Sequence, residues 1–242
     1  MRVLVISDIH ANLTALDAVL EAAGDVDAVW CLGDLVGYGP DPNECIERVR
    51  SLPNLLCLLG NHDAAALGQI DLDTFNREAR QSAEWMQNTL SKDSIEFLRN
   101  LPEKIVKGEV TLTHGSPRNP VWEYLLDTYA AAINFDFFET RYCFVGHTHL
   151  PIAYIKQNGR RDVDWQILQA NETIPLANRT IVNPGSVGQP RDHDPRAAFA
   201  IFYPEEAVWE PQRIDYNISS VQDRIYQAGL PRRHGVRLSE GW

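Results

Sequence analysis

Five of the seven histidines in this 242-residue chain fall in short polar motifs that follow apolar runs. His10 closes "SDIH", His62 lies in "GNHD", His114 in "THG", and His147 and His149 in "GHTH"; "LGD" adds Asp34. Asp8 and His10 are two residues apart, the spacing that puts two side chains on one side of an extended chain. Burying so many ionisable groups together is costly without a cation. Mixed imidazole and carboxylate donors suit Mn, Fe, Ni or Zn better than Ca or Mg. These residue types point to a metal site, with two ions.

The elements that must position these groups alternate regularly at first. "RVLVIS", "DAVWCLGD" and "NLLCLLGNHD" read as strands, separated by the helices "LTALDAVLEAA", closed by Gly24, and "DPNECIERVRSL", with Asp41 or Asn43 as its cap. Such alternation predicts βαβ units and a mainly parallel sheet covered on both faces, with ligands bound beyond the carboxyl ends of its strands. Residues 74–101 read as two helices, the second capped by Ser91 or Asp93 and ended by Pro102. Strands then dominate, several of them antiparallel: "EVTLTHG", "RYCFVGHTH", "PIAYIKQNGR", "RTIVNPG" and "AAFAIFYP". Asn158-Gly159 is a hairpin signal. One helix, "VWEYLLDTYAAAINFDFF", interrupts them, and another from about residue 217 ends at Gly229 before a polar tail. The expectation is an α/β fold of two facing mixed sheets in one domain, residues 1–242.

The bulk numbers exclude some functions. A net charge of −11 argues against nucleic acid or an anionic membrane as the main partner. No apolar stretch approaches the roughly 18 to 20 residues of a membrane span, and "MRVLVISD" has no secretory pattern. Cys31, Cys45, Cys57 and Cys143 have no CxxC spacing and read as buried thiols in a reducing compartment. The expected location is the cytoplasm.

Asp8-Ile9-His10, Gly33-Asp34, Gly60-Asn61-His62-Asp63, His114 and Gly146-His147-Thr148-His149 together resemble, in order and spacing, the calcineurin-like metallophosphoesterase superfamily. The resemblance spans roughly residues 1–200, and "GDLVGYGPDPNE", "THGSPRNPVWEYLL" and "NPGSVGQPRDHDPRAAFAIF" are similar to its small prokaryotic branch. It implies a four-layer α/β/β/α sandwich. It also implies that Asp8, His10 and His149 hold one transition-metal ion and Asn61, His114 and His147 a second, with Asp34 bridging. The implied reaction is hydrolysis of a small phosphate ester by in-line attack of a hydroxide generated between the ions, His62 serving the leaving oxygen and Asp63 either orienting His62 or standing as a polar loop residue.

The protein Ser/Thr phosphatases of the superfamily carry "GDxVDRG", whereas this chain has "GDLVGYG". Its phosphate-binding cation must therefore come from elsewhere. Arg118 and Arg191 are candidates for that clamp, the alternative being solvated loop cations, and Tyr38 is a candidate pocket residue. Trp122, Tyr124 and Leu125 read as core or pocket wall, "VNPGSVG" as a tight turn, and His193 and His234 as surface residues. Phosphodiesters are the favoured substrates. The alternatives are a phosphomonoesterase acting on nucleotides or small phosphorylated metabolites, and a protein-binding scaffold of the same fold, against which the presence of His62 counts.

Overall fold

A computed structural model describes residues 1–157 and 162–242. Two six-stranded mixed sheets face each other. The first is built on β1 (Val3–Ile6), with β2 (Ala28–Cys31) and β3 (Leu56–Cys57) parallel to it on one side. The intervening helices α1 (Leu13–Ala23) and α2 (Pro42–Arg50) form these crossovers. In the second sheet β4 (Lys104–Lys107) pairs with β5 (Val110–Thr113), which runs parallel to β6 (Tyr142–Phe144). β7 (Pro151–Lys156) and β8 (Val163–Ile167) are an antiparallel pair. The hairpin signal Asn158-Gly159 lies outside the described residues.

The remaining strands complete both sheets. β9 (Ile174–Pro175), β11 (Ala197–Tyr203) and β12 (Val208–Ile214) extend the first in the order β3-β2-β1-β11-β12-β9; β10 (Arg179–Pro184) lies between β6 and β7 in the second. β12 escapes sequence reading because Glu210 and Pro211 break its pattern. Pro211 is tolerated because β9 pairs with β12 only at Val208 and Trp209, so the strand is an edge beyond that point.

Alternation of side chains across each strand makes the layers. Val3, Val5 and Trp30 point inward to meet Leu112, Phe144 and Val182 of the other sheet, with Trp209 fully buried among them. Leu4, Ile6, Val29 and Cys31 point outward against Leu16, Val19, Ile46 and Val49 of α1 and α2. On the far face Cys143, Tyr154 and Ile181 pack against Ala131 and Phe135. The order is α/β/β/α, as expected.

Helices outside the sandwich differ more from expectation. α3 (Asn61–Ala66) begins at the ligand motif itself. α4 (Arg77–Thr89) and α5 (Lys92–Arg99) are the anticipated pair, and the Ser91 hydroxyl accepts from the Ser94 N–H as an N-cap. The helix expected over "VWEYLLDTYAAAINFDFF" shrinks to α6 (Thr128–Asn134), started by the Asp127 cap. Residues 121–127 instead form a loop bracketing the site. The tail after α7 (Ile218–Gln227) is not an irregular polar segment: α8 (Arg232–Glu240) packs back on it through Leu238, Val221 and Ile225. Its apolar content is too low to show helical periodicity, and the burial of Gly235 against Tyr226 supplies the packing. His234 on α8 is 2% exposed rather than on the surface, donating or accepting at 2.8 Å with the Ser82 hydroxyl. Among the described residues no helix is long and apolar enough to cross a membrane.

Candidate metal centre

The seven residues expected to hold metal converge at one edge of the sandwich, but not by strand alternation. β1 ends at Ile6, and Asp8 and His10 both have left-handed backbone (φ 55° and 50°). Asp34, His147 and His149 do as well (φ 56°, 66° and 60°). Non-glycine residues rarely sit there, and such strain concentrates at functional sites. The surrounding loops hold it. The Ser186 hydroxyl donates to the Asp8 carbonyl at 2.8 Å, and the Asn183 amide donates to the Gly146 carbonyl at 2.6 Å. "VNPGSVG" is therefore a brace for the ligand loops. Gly60 lies so close to Asp34 that a Cβ there would overlap its carboxylate.

Two groups of donors form. In the first, His10 Nδ1 faces the Val36 carbonyl at 3.1 Å and His149 Nδ1 faces the Gln189 carbonyl at 2.5 Å. A carbonyl only accepts, so each Nδ1 carries the hydrogen and each Nε2 presents a lone pair. Burial lowers both imidazoles, His10 well below its ordinary value, so the rings are neutral. Yet the two Nε2 atoms lie 3.1 Å apart, and Asp8 Oδ1 is 3.7 Å from one and 3.2 Å from the other. Three electron-pair donors aimed at one point repel unless a cation sits among them.

The second group is Asp34, His114, His147 and Asn61. His114 Nε2 lies 3.3 Å from Asp34 Oδ2 and 3.0 Å from Asn61 Oδ1, with Nδ1 turned to the Leu32 carbonyl at 2.9 Å. Burial opposes charge on His114, but the Asp34 carboxylate overrides it and holds the ring up at about 9. The pull that keeps a proton there is the pull that would hold a metal ion in its place. His147, buried beside His114, is pushed down to about 3. Burial opposes ionisation of Asp8 and Asp34, but His149 and His114 respectively hold them below the usual carboxylate range. Asp8 Oδ1, Asp34 Oδ2 and His147 Nε2 are buried with no hydrogen-bond partner among the described residues. Buried polar atoms are rarely left so. This donor set fits divalent transition-metal ions, and Asp34 Oδ2 faces both groups, 3.7 Å from His10 and 3.3 Å from His114.

The other predicted residues divide. His62 borders this cluster, its ring 5.0 Å from that of His10, with ligand atoms of His10, Asp34 and His62 within 4.8 Å of one another. Burial pushes it down to about 4. Tyr38 is wedged between His10, His62 and His234, with ring centroids at 4.6, 4.5 and 4.9 Å. Asp63 does not orient His62. Its carboxylate accepts from the backbone N–H of Asp34 at 2.9 Å, Gly60 at 3.0 Å and Val36 at 3.1 Å, locking two ligand loops together. Burial and the neighbouring Asp34 charge push it up to about 7. Arg118 has a partner in the protein: its guanidinium is paired with Glu123, which Ser116 and Asn134 also hold. Arg191 does reach the site, its guanidinium 3.4 Å from the Tyr38 hydroxyl.

A cavity of about 250 Å³ opens beside His62, Asn61 and His147, walled by Tyr38, Phe75, Trp122 and Tyr124. Tyr124 stacks on His147 with centroids 3.6 Å apart. Trp122 and Tyr124 are thus pocket wall, one of the two roles their spacing left open, while Phe75 gave no signal. His193 is exposed, as expected, and stacks on Trp242.

Residues 1–207 match the calcineurin-like phosphoesterase superfamily domain. The chain belongs to that family. It is similar to a metallophosphoesterase from Sphaerobacter thermophilus, with a TM-score of 0.92 and 45% identity, covering 100% of this chain and 99% of that one. An uncharacterized protein of Methanocaldococcus jannaschii is 36% identical, over 98% of this chain and 97% of its own length. A symmetrical bis(5'-nucleosyl)-tetraphosphatase from Proteus mirabilis is 30% identical over 51% of this chain, which spans only 47% of that relative. Within this calcineurin-like phosphoesterase domain lie all the His/Asp groups that, among the described residues, could hold a metal ion, and Gly37 and Tyr38 follow "GDLV".

Proposed function

We propose that this phosphoesterase hydrolyses small phosphate esters with two transition-metal ions, and that it favours phosphodiesters over monoesters. The observation carrying the metal reading is the pair of mutually facing Nε2 lone pairs on His10 and His149 beside ionised Asp8. Asp8, His10 and His149 would hold one ion, Asn61, His114 and His147 the other, and Asp34 both. When bound, the ions supply an acidified water and positive charge for the phosphate oxygens.

The chain's own groups do the rest. His62, at the mouth of the aromatic cavity, is placed to serve the leaving oxygen. Its ring is neutral at rest, so it offers an N–H, and the negative charge of a bound phosphate would raise its proton affinity toward true acid catalysis. Arg191 is the remaining candidate for a phosphate contact. The aromatic walls suit a flat leaving group such as a nucleobase, which agrees with the name of the Proteus mirabilis relative. Preference for diesters is supported by the absence of the Asp-Arg pair of the protein phosphatases, where this chain has Gly37 and Tyr38. One domain carries the whole site, and the four buried free cysteines fit a reducing cytoplasm.

The test is hydrolysis of p-nitrophenyl phosphate and bis(p-nitrophenyl) phosphate with Mn, Ni, Zn, Mg or chelator, alongside metal counting by mass spectrometry. Faster diester turnover with about two ions per chain is expected. Monoester preference would replace the substrate class, and no metal-dependent turnover on either ester would leave a binding scaffold.

A further inference from the structure

The second cavity, about 340 Å³, is lined by Arg191 and Arg237 together with Tyr124, Leu126, Leu150 and Trp242. Its two arginines differ from the other half-buried arginines. Arg2, Arg179, Arg196, Arg213 and Arg224 each donate to a carboxylate or to backbone carbonyls. Arg237 has no hydrogen-bond or ion-pair partner for its side chain among the described residues, and its Nε is buried and unsatisfied. Arg191 Nε is in the same state; its guanidinium makes long contacts to the Tyr38 hydroxyl at 3.4 Å and Gln189 Oε1 at 3.5 Å and lies near the Tyr124 hydroxyl, with no carboxylate paired to it among the described residues. Burial and the neighbouring Arg191 charge both depress Arg237. Two like charges line one cleft with no carboxylate ion-paired to either among the described residues, Glu78 acting on Arg237 only from a distance, in a protein of net charge −11 that could have supplied a partner.

The arrangement is built. α8 carries Arg237, and its C-terminal end is pinned to the loop carrying Arg191: the His193 N–H donates to the Gly241 carbonyl at 2.8 Å, and the His193 ring stacks on Trp242 at 4.9 Å. The cavity adjoins the metal cluster, since Thr148 lies between His147 and His149, and Tyr124 stacks on His147. Leu126, Leu150 and Trp242 offer an apolar wall for whatever the anion is attached to.

We propose that Arg191 and Arg237 form a subsite for a second, unreacted phosphate group, so that substrates bearing two or more phosphates are selected over those bearing one. This rests on the phosphoesterase reading for its term "substrate", but the subsite itself does not require turnover. Planar guanidinium forks suit phosphate oxygens, and a bound phosphate would satisfy the orphaned donors and quench their repulsion. Arg237 lies outside the residues that match the family domain, so the C-terminal helical pair adds this selectivity to the common centre.

The experiment is calorimetric binding of AMP and of α,β-methylene-ADP to the manganese-loaded protein, for wild type, Arg237→Gln and Arg237→Lys. Wild type is expected to favour the diphosphate by about 10- to 100-fold, the worth of charge-assisted hydrogen bonds. Arg237→Gln should collapse that ratio toward unity, and Arg237→Lys should restore part of it. Because Arg237 has no protein partner to lose, Arg237→Gln should melt at the same temperature as wild type or higher, whereas a structural arginine would lower it. An unchanged ratio in Arg237→Gln, or no preference in wild type, overturns the subsite. A preference lost in Arg237→Gln from a protein that hydrolyses neither nitrophenyl ester would uphold the subsite and refute the hydrolase reading.

Discussion

Asp34 Oδ1 accepts the backbone N–H of His62 at 2.8 Å, while Oδ2 of the same carboxylate is buried without a donor. One residue thereby fixes the start of α3 and offers its second oxygen to both groups of metal donors. The two jobs separate by substitution. Asp34→Asn keeps an acceptor for His62 but removes the charge, and should lose both ions with a rate loss of about 10³ or more. Mass spectrometry of the purified variant checks it; full metal occupancy would refute the bridging role.

His62 contributes no predicted metal bond, so His62→Ala should retain the ions. Turnover should fall by about 10² to 10⁴ on an ester with a poor alkyl leaving group. The loss should be smaller for a nitrophenyl ester, whose leaving oxygen needs little proton help. Equal losses on both esters would show that His62 acts on something other than the leaving group.

The two candidate clamps should behave oppositely. Arg118 is 41% exposed and paired with Glu123. Arg118→Gln should leave stability nearly unchanged, as exposed ion pairs contribute little, and leave kcat/KM within about twofold. Arg191→Gln should lower kcat/KM by about 10- to 100-fold, mainly through KM. Steady-state kinetics of the two variants decides between them.

His234 supplies a pH dependence of stability. Burial pushes its ring from 6.5 down to about 4 in the folded chain. The unfolded chain takes a proton below pH 6.5 that the folded chain refuses until about pH 4, so stability is lost as pH falls through that window. The loss reaches about 3 kcal/mol at the low end. Urea unfolding of wild type and His234→Gln at pH 7 and pH 4.5, in chelator, should show a shallower decline in the variant; parallel declines would exclude His234 as the source.

How much of this was legible in the chain depends on how local each cause is. Apolar runs ending in Asp8, Asp34 and His114 announce strands delivering polar groups to one edge, because burial of a strand and the turn after it are written in consecutive residues. α4 and α5 were legible from periodicity, helped at α5 by the Ser91 cap. The helix over 121–138 was overcalled, since the same apolar residues serve as loop wall: Tyr124 stacks on His147 instead of continuing a helix. The role of Asp63 stayed open because two of its three partners, the N–H groups of Asp34 and Val36, lie 29 and 27 residues away.

The sequence by itself determined which imidazoles, carboxylates and amides were at hand and which strand faces are buried, since residue type sets what a group can bind and hydrophobic pattern sets which face is covered. Only the tertiary structure decided how the donors meet. Left-handed backbone at Asp8, His10, Asp34, His147 and His149 is strained locally and persists only because distant loops brace it. The same holds for Arg191, which shares a cavity with Arg237 from a separate element of the fold, whereas Arg118 finds Glu123 only five residues away.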